Sequence, residues 1–131
     1  MKKDFVKTRT AKIWKDEDGI IHTELDKSSE LTLEDGIENI NVIEKMNQGS
    51  SVLVLSDIRN VKSVSKEHRD FFSSERVVKI MSAGAIITGS PITKVMANFF
   101  FQVNNPPYRT KMFTSETEAI KWLKEHAKKP L

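Results

Sequence analysis

The sequence predicts an α/β domain: a mixed β-sheet opened by an N-terminal hairpin, with helices packed on it. Three observations carry this expectation. The pair Asp18-Gly19 separates two alternating segments, residues 8–15 and 20–25, and Asp-Gly marks a hairpin because Gly takes positive φ without a Cβ clash. The run Val52-Leu53-Val54-Leu55 is apolar on both parities, as a strand covered on both faces should be. Strand-like runs then alternate with capped helical stripes, which points to a partly parallel sheet.

Taken in order, residues 1–7 read as a flexible N-terminal tail, residues 8–127 as a single domain and residues 128–131 as a C-terminal tail. In the first strand Thr8, Thr10, Lys12 and Trp14 fall on one side and Arg9, Ala11 and Ile13 on the other. After a polar loop, Thr32 with Asp35 three residues on is an acidic variant of the capping box. Leu33, Ile37, Ile40 and Ile43 give the helical stripe that follows. Gly36 weakens that helix locally, and Gly49 is placed to end it. Beyond the central run, residues 57–64 form a loop and Ser65 caps a helix over 66–72. Ser73, Ser74 and Glu75 mark a break and a second start, whose helical piece carries Val77, Val78, Ile80 and Met81. Residues 83–88 make another short strand. Ser90-Pro91 opens a helix with Ile92, Val95, Met96, Phe99 and Val103 on one face. Asn104 to Pro107 stops it. Residues 111–113 form the last strand. Ser115 with Glu118 caps a final helix with Ala119, Ile120, Leu123 and Ala127 inward.

Composition narrows the class. The 131 residues, 38% hydrophobic and 30% charged, suit one globular domain with a core. With no cysteine, disulfides, thiolate catalysis and Cys-based zinc sites are excluded. No apolar segment approaches the roughly 18 residues of a membrane span, and no signal-like apolar region follows the N-terminal lysines, so a cytoplasmic protein is expected. The net charge of +3 is unevenly laid: residues 16–47 hold ten acidic residues against Lys27 and Lys45, between two basic segments. The lysines are spread singly and without aromatic interleaving, so nucleic acid is not an expected partner. His22, His68 and His126 share no metal-ligand spacing. Neither a nucleophile elbow nor a phosphate-binding glycine loop occurs, and neither a cofactor nor a metal is expected.

The element order and the stretch Asp57-Ile58-Arg59-Asn60-Val61 resemble the STAS domain, the fold of bacterial anti-sigma factor antagonists. More closely, the chain looks like small bacterial STAS/SEC14-like or SpoIIAA-like proteins of uncharacterised function. The residues carrying that likeness are Trp14 with Asp18-Gly19, Asp57-Ile58-Arg59, residues 85–90, Asn98-Phe99-Phe100, Pro107 with Phe113, and Trp122-Leu123. In the family an Asp-Ser pair follows at a helix N-terminus, and a partner kinase phosphorylates the Ser. Aligned without a gap, that Asp falls on Ser65 and the phosphoacceptor falls on Lys66. The resemblance therefore implies a SpoIIAA-like fold and a regulatory role without the usual acceptor serine.

Two sets of candidate residues follow. Asp57, Arg59, Ser65 and Arg69 stand around the end of the central strand, where Asp57 and Arg59 form an ion pair shaping the loop, or Arg59 and Arg69 bind an anion. Phe71, Phe72, Met96, Phe99, Phe100 and Phe101 supply core, a homodimer patch or an apolar pocket. The first reading is a non-enzymatic regulatory or protein-interaction module, as a homodimer or with a regulatory protein partner. The alternative is a binding module for a small apolar or amphipathic anion. An enzyme using Asp57 as general base is the least supported.

Overall fold

The computed structural model describes residues 4–48, 51–89 and 108–127. The hairpin forms as its turn residues dictate. Strands β2 (Ala11–Lys15) and β3 (Ile20–Leu25) pair antiparallel, with Ile13 opposite Thr23, and Gly19 turns the chain at φ 85. The tail expectation needs adjustment, because Val6–Lys7 is a short strand, β1, paired antiparallel to β2 and held by Lys7 Nζ on Asp26 Oδ2 at 2.8 Å. The first long strand is also shorter than predicted. Residues 8–10 bend, since Thr8 Oγ1 and Thr8 N–H turn back onto Ala11.

Three parallel additions build the rest of the sheet. β5 (Val52–Asp57) lies beside β3, β7 (Met81–Ile87) beside β5, and β8 (Arg109–Phe113) beside β7, giving the order β1-β2-β3-β5-β7-β8. The central-strand expectation holds. Val52 and Val54 enter one core cluster with Ile13, Ile21, Ile40 and Val77, whereas Leu55, with Leu53 packed against it, enters another with Ile87, Phe113, Ala119 and Leu123. Each such Ile or Leu side chain contributes about 1.5–3 kcal/mol by leaving water. On the first face lie α1 (Leu33–Asn47) and the short helices α2 (Lys66–Phe71) and α3 (Glu75–Ile80); on the second lies α4 (Glu116–Ala127).

Met81 begins β7 rather than ending a helix. The β5–β7 register slips between Val52 and Leu53, so Val52 faces Met81 but Leu53 faces Ala83. An extra residue, Ser82, sits in the slip, and Met81 and Ala83 therefore join opposite core clusters despite their shared parity. A second sheet, of β4 (Glu30–Leu31) and β6 (Ser63–Val64), lies where only loop was expected.

The α1 cap is the predicted capping box: Asp35 N–H donates to Thr32 Oγ1, and Thr32 N–H donates to Asp35 Oδ2 at 2.9 Å. The helix closes on Gln48 in the left-handed region; Gly49 lies outside the described residues. Its buried face runs through Asp35, Gly36, Asn39, Ile40 and Ile43, with Leu33 and Ile37 only half-buried. In α4, Ala119 and Leu123 are buried and Ile120 half-buried. The expected helix over 91–103, with Met96, Phe99, Phe100 and Phe101, lies outside the described residues, as do the side chain of Ala127 and the tail 128–131.

Candidate functional site

β5 delivers Asp57 to the C-terminal rim of the parallel strands. There the chain turns through a loop tied back at both ends: Ile58 N–H donates to Ile87 O at 3.0 Å, and Lys62 N–H to Ser29 O at 2.8 Å. Arg59 folds onto Asp57 as a fork. Its Nε donates to Oδ1 at 3.0 Å, its Nη2 to Oδ2 at 2.6 Å, and its backbone N–H to Oδ1 at 3.1 Å. Burial acts to raise the Asp57 carboxyl, but these bonds and the guanidinium charge outweigh it, and the group is held below the usual carboxylate range. Asp57 is thus a fixed, ionised brace, an arrangement ill suited to a proton acceptor.

The other predicted rim residues part company with this pair. Ser65 is the N-cap of α2, its Oγ accepting from His68 N–H at 3.0 Å. Arg69 Nη1 donates to Val64 O at 2.9 Å. That bond ties Arg69 to the α2 entry, while the Arg59 fork is engaged with Asp57. Lys66 pairs with Asp70 one turn on at 2.8 Å. Phe71 and Phe72 pack edge to face with centroids 5.5 Å apart and lie against the α1-side core.

What the rim does build is a shallow dish of about 330 Å³, lined by Ile58, Arg59, Val61, Lys62, Ser63, Val64, Thr88 and Gly89. Only Arg59 among the predicted residues lines it. Ile58, Val61 and Lys62 come from the loop after β5, Ser63 and Val64 from β6, and Thr88 and Gly89 from the exit of β7. A strand of two residues has no periodicity to read, so Ser63 and Val64 carried no signal, whereas Ile58 and Val61 lie in the stretch from Asp57 to Val61 and Gly89 flanks a strand. Among the described residues, a side chain at Gly89 would meet the Arg59 carbonyl, 3.8 Å away. Lys62 reaches Glu30 at 3.6 Å with both side chains about two-thirds exposed, so its charge stays available. Among the described residues no cluster of His, Asp and Glu could hold a metal ion, and no helix is long and apolar enough to cross a membrane.

Two further polar features stand apart from the rim. His22 stacks on Trp14 with centroids 5.0 Å apart, and its Nε2 lies 2.8 Å from Asp16 Oδ2. Arg9 forks onto Asp35, Nε to Oδ1 at 2.7 Å and Nη2 to Oδ2 at 2.5 Å. The Arg9 hydrogen bonds are the chief reason that the Asp35 carboxyl is lowered to about 2.

Comparison with known proteins supports the fold and leaves the chemistry open. The model of a family described as a domain of unknown function, DUF7793, matches residues 13–127. No curated protein matches the chain. Among solved structures, an uncharacterised protein of the DUF3478 family with a SpoIIAA-like fold, from Shewanella loihica PV-4, is similar at a TM-score of 0.64 and 19% identity, covering 86% of this chain and 91% of that one. A protein of unknown function from Arthrobacter sp. FB24 matches at 24% identity with a TM-score of 0.35, covering 90% and 95%. The fold is therefore SpoIIAA-like, as the element order implied.

Proposed function

We propose, for a chain that belongs to the DUF7793 family, a non-enzymatic role: a STAS-like module that docks a protein partner on the rim at the C-terminal ends of β5 and β7. The observation carrying this reading is the three-bond brace of Arg59 on Asp57 beside an open, shallow dish. A general base must be free to take a proton, and Asp57 is occupied. A small-ligand site encloses most of its ligand, whereas this concavity is shallow and open. Ile58, Val61 and Val64 give it apolar floor and Lys62 an exposed cation, a mixture that suits a partner's side chains. Lys66 at the acceptor position supports a module that works without phosphorylation there.

Native mass spectrometry of the protein purified from its own host tests the reading. The expected result is a retained protein partner, or a second copy, lost on the double substitution Val61→Asp with Lys62→Glu. A retained small molecule that the same double variant releases would overturn it.

A further inference from the structure

The short helix α2 sits on α1 with a titratable ring in the seam. Gly36 of α1 is the point of closest approach: a Cβ there would come within 3.2 Å of ring carbons of His68, Phe71 and Phe72 together. His68 packs on Phe72 with centroids 4.8 Å apart and is half-buried. Nothing in α2 is fully buried. Among the described residues, the helix is held by the Ser65 cap and by Arg69 Nη1 on Val64 O at one end, by Tyr108 Oη donating to Phe72 O at 2.8 Å at the other, and by the ring contacts between. Beneath it Phe71 and Phe72 cover the α1-side core.

We propose that α2 is a proton-released latch: neutral, His68 seats the helix against Gly36; protonated, it lifts α2 and uncovers the apolar surface under Phe71 and Phe72. The inference is independent of the docking role given to the rim.

Among the described residues, the charged and titratable groups facing His68 come from α1, from α2 itself and from the segment ahead of β8. On α1, Asp35 stays ionised because its carboxyl is lowered to about 2, and it is already forked by Arg9. On α2 itself, Arg69 and Lys66 are cations, Lys66 is bound to Asp70, and Glu67 is exposed. Tyr108, ahead of β8, is pushed up to about 12 by burial and stays neutral. Burial lowers His68 from 6.5 to about 4, against the pull of Asp35. A ring that binds its proton at about 6.5 when α2 is lifted and at about 4 when seated favours lifting as pH falls. Between pH 7 and pH 5 the opening constant rises about twentyfold.

Amide hydrogen exchange of the full chain, corrected for the intrinsic pH dependence of exchange, reads this opening directly. Protection of the helix-bonded amides of residues 69–72 should fall about twentyfold from pH 7 to pH 5, while β5 and β7 hold theirs. His68→Phe, which keeps a ring in the seam, should flatten the profile; should it fail to fold, His68→Gln serves the same purpose. Gly36→Ala should raise α2 exchange at every pH and leave the slope intact. Three results would each overturn the latch: a flat wild-type profile, an unchanged slope in the neutral His68 variant, or an equal loss of protection across β5 and β7.

Discussion

Two helices on the same face of the sheet, α1 and α2, are built to opposite standards. α1 has 15 residues, a reciprocal capping box and a buried carboxylate pinned by a guanidinium from the neighbouring bend. α2 has six residues, a one-way cap and no fully buried residue. The contrast places the domain's anchorage at α1 and its adjustable surface at α2 and the loop before it. A helix held by several independent bonds opens only when the domain does, whereas a helix held by a cap and a few rings can open alone.

The largest blow to that contrast comes from Asp35→Ala. It removes half of the capping box and strands Arg9, so the whole domain should lose about 2 kcal/mol in urea unfolding. A loss confined to local exchange at α1 would show that the anchorage has been misplaced. The pH dependence should agree. The Asp35 carboxyl is lowered in the fold from 3.8 to about 2, so its contribution is complete above pH 4 and disappears as pH falls toward 2. Asp57→Ala should cost about 1 kcal/mol by freeing Arg59 and slackening the loop over residues 58–62, seen as a lower melting temperature. An unchanged melting temperature would count against the brace. Ser65→Ala should be milder, about 1 kcal/mol or less, and felt chiefly as faster exchange in α2. Lys66→Ala, which breaks only an exposed pair, should leave unfolding unchanged.

Legibility in the sequence followed the same divide. The hairpin, the Thr32–Asp35 box, the two-faced run of β5 and the cap at Ser65 are local patterns, and each formed where its residues place it. The Asp57–Arg59 pair was readable because two residues apart at a strand end is also local. The dish was not readable, since it joins residues 58–64 to residues 88–89 across the sheet rim. The fork of Arg9 on Asp35 spans 26 positions. Gly36 reads along the chain as a weak point in a helix, and only packing shows it as the place where α2 draws near. Of the two arginines read as anion partners, Arg59 forks onto Asp57 and Arg69 donates to Val64 O, contacts that only the folded loop shows.

The slip at Ser82 has an evolutionary side. In an ordinary strand, gaining or losing one residue inverts every side chain beyond it, a change that a two-faced core does not survive. Here the extra residue already absorbs one inversion between Met81 and Ala83. The junction of α3 with β7 is thus a place where related chains can differ in length by one residue while Ala83, Ala85 and Ile87 keep their stations.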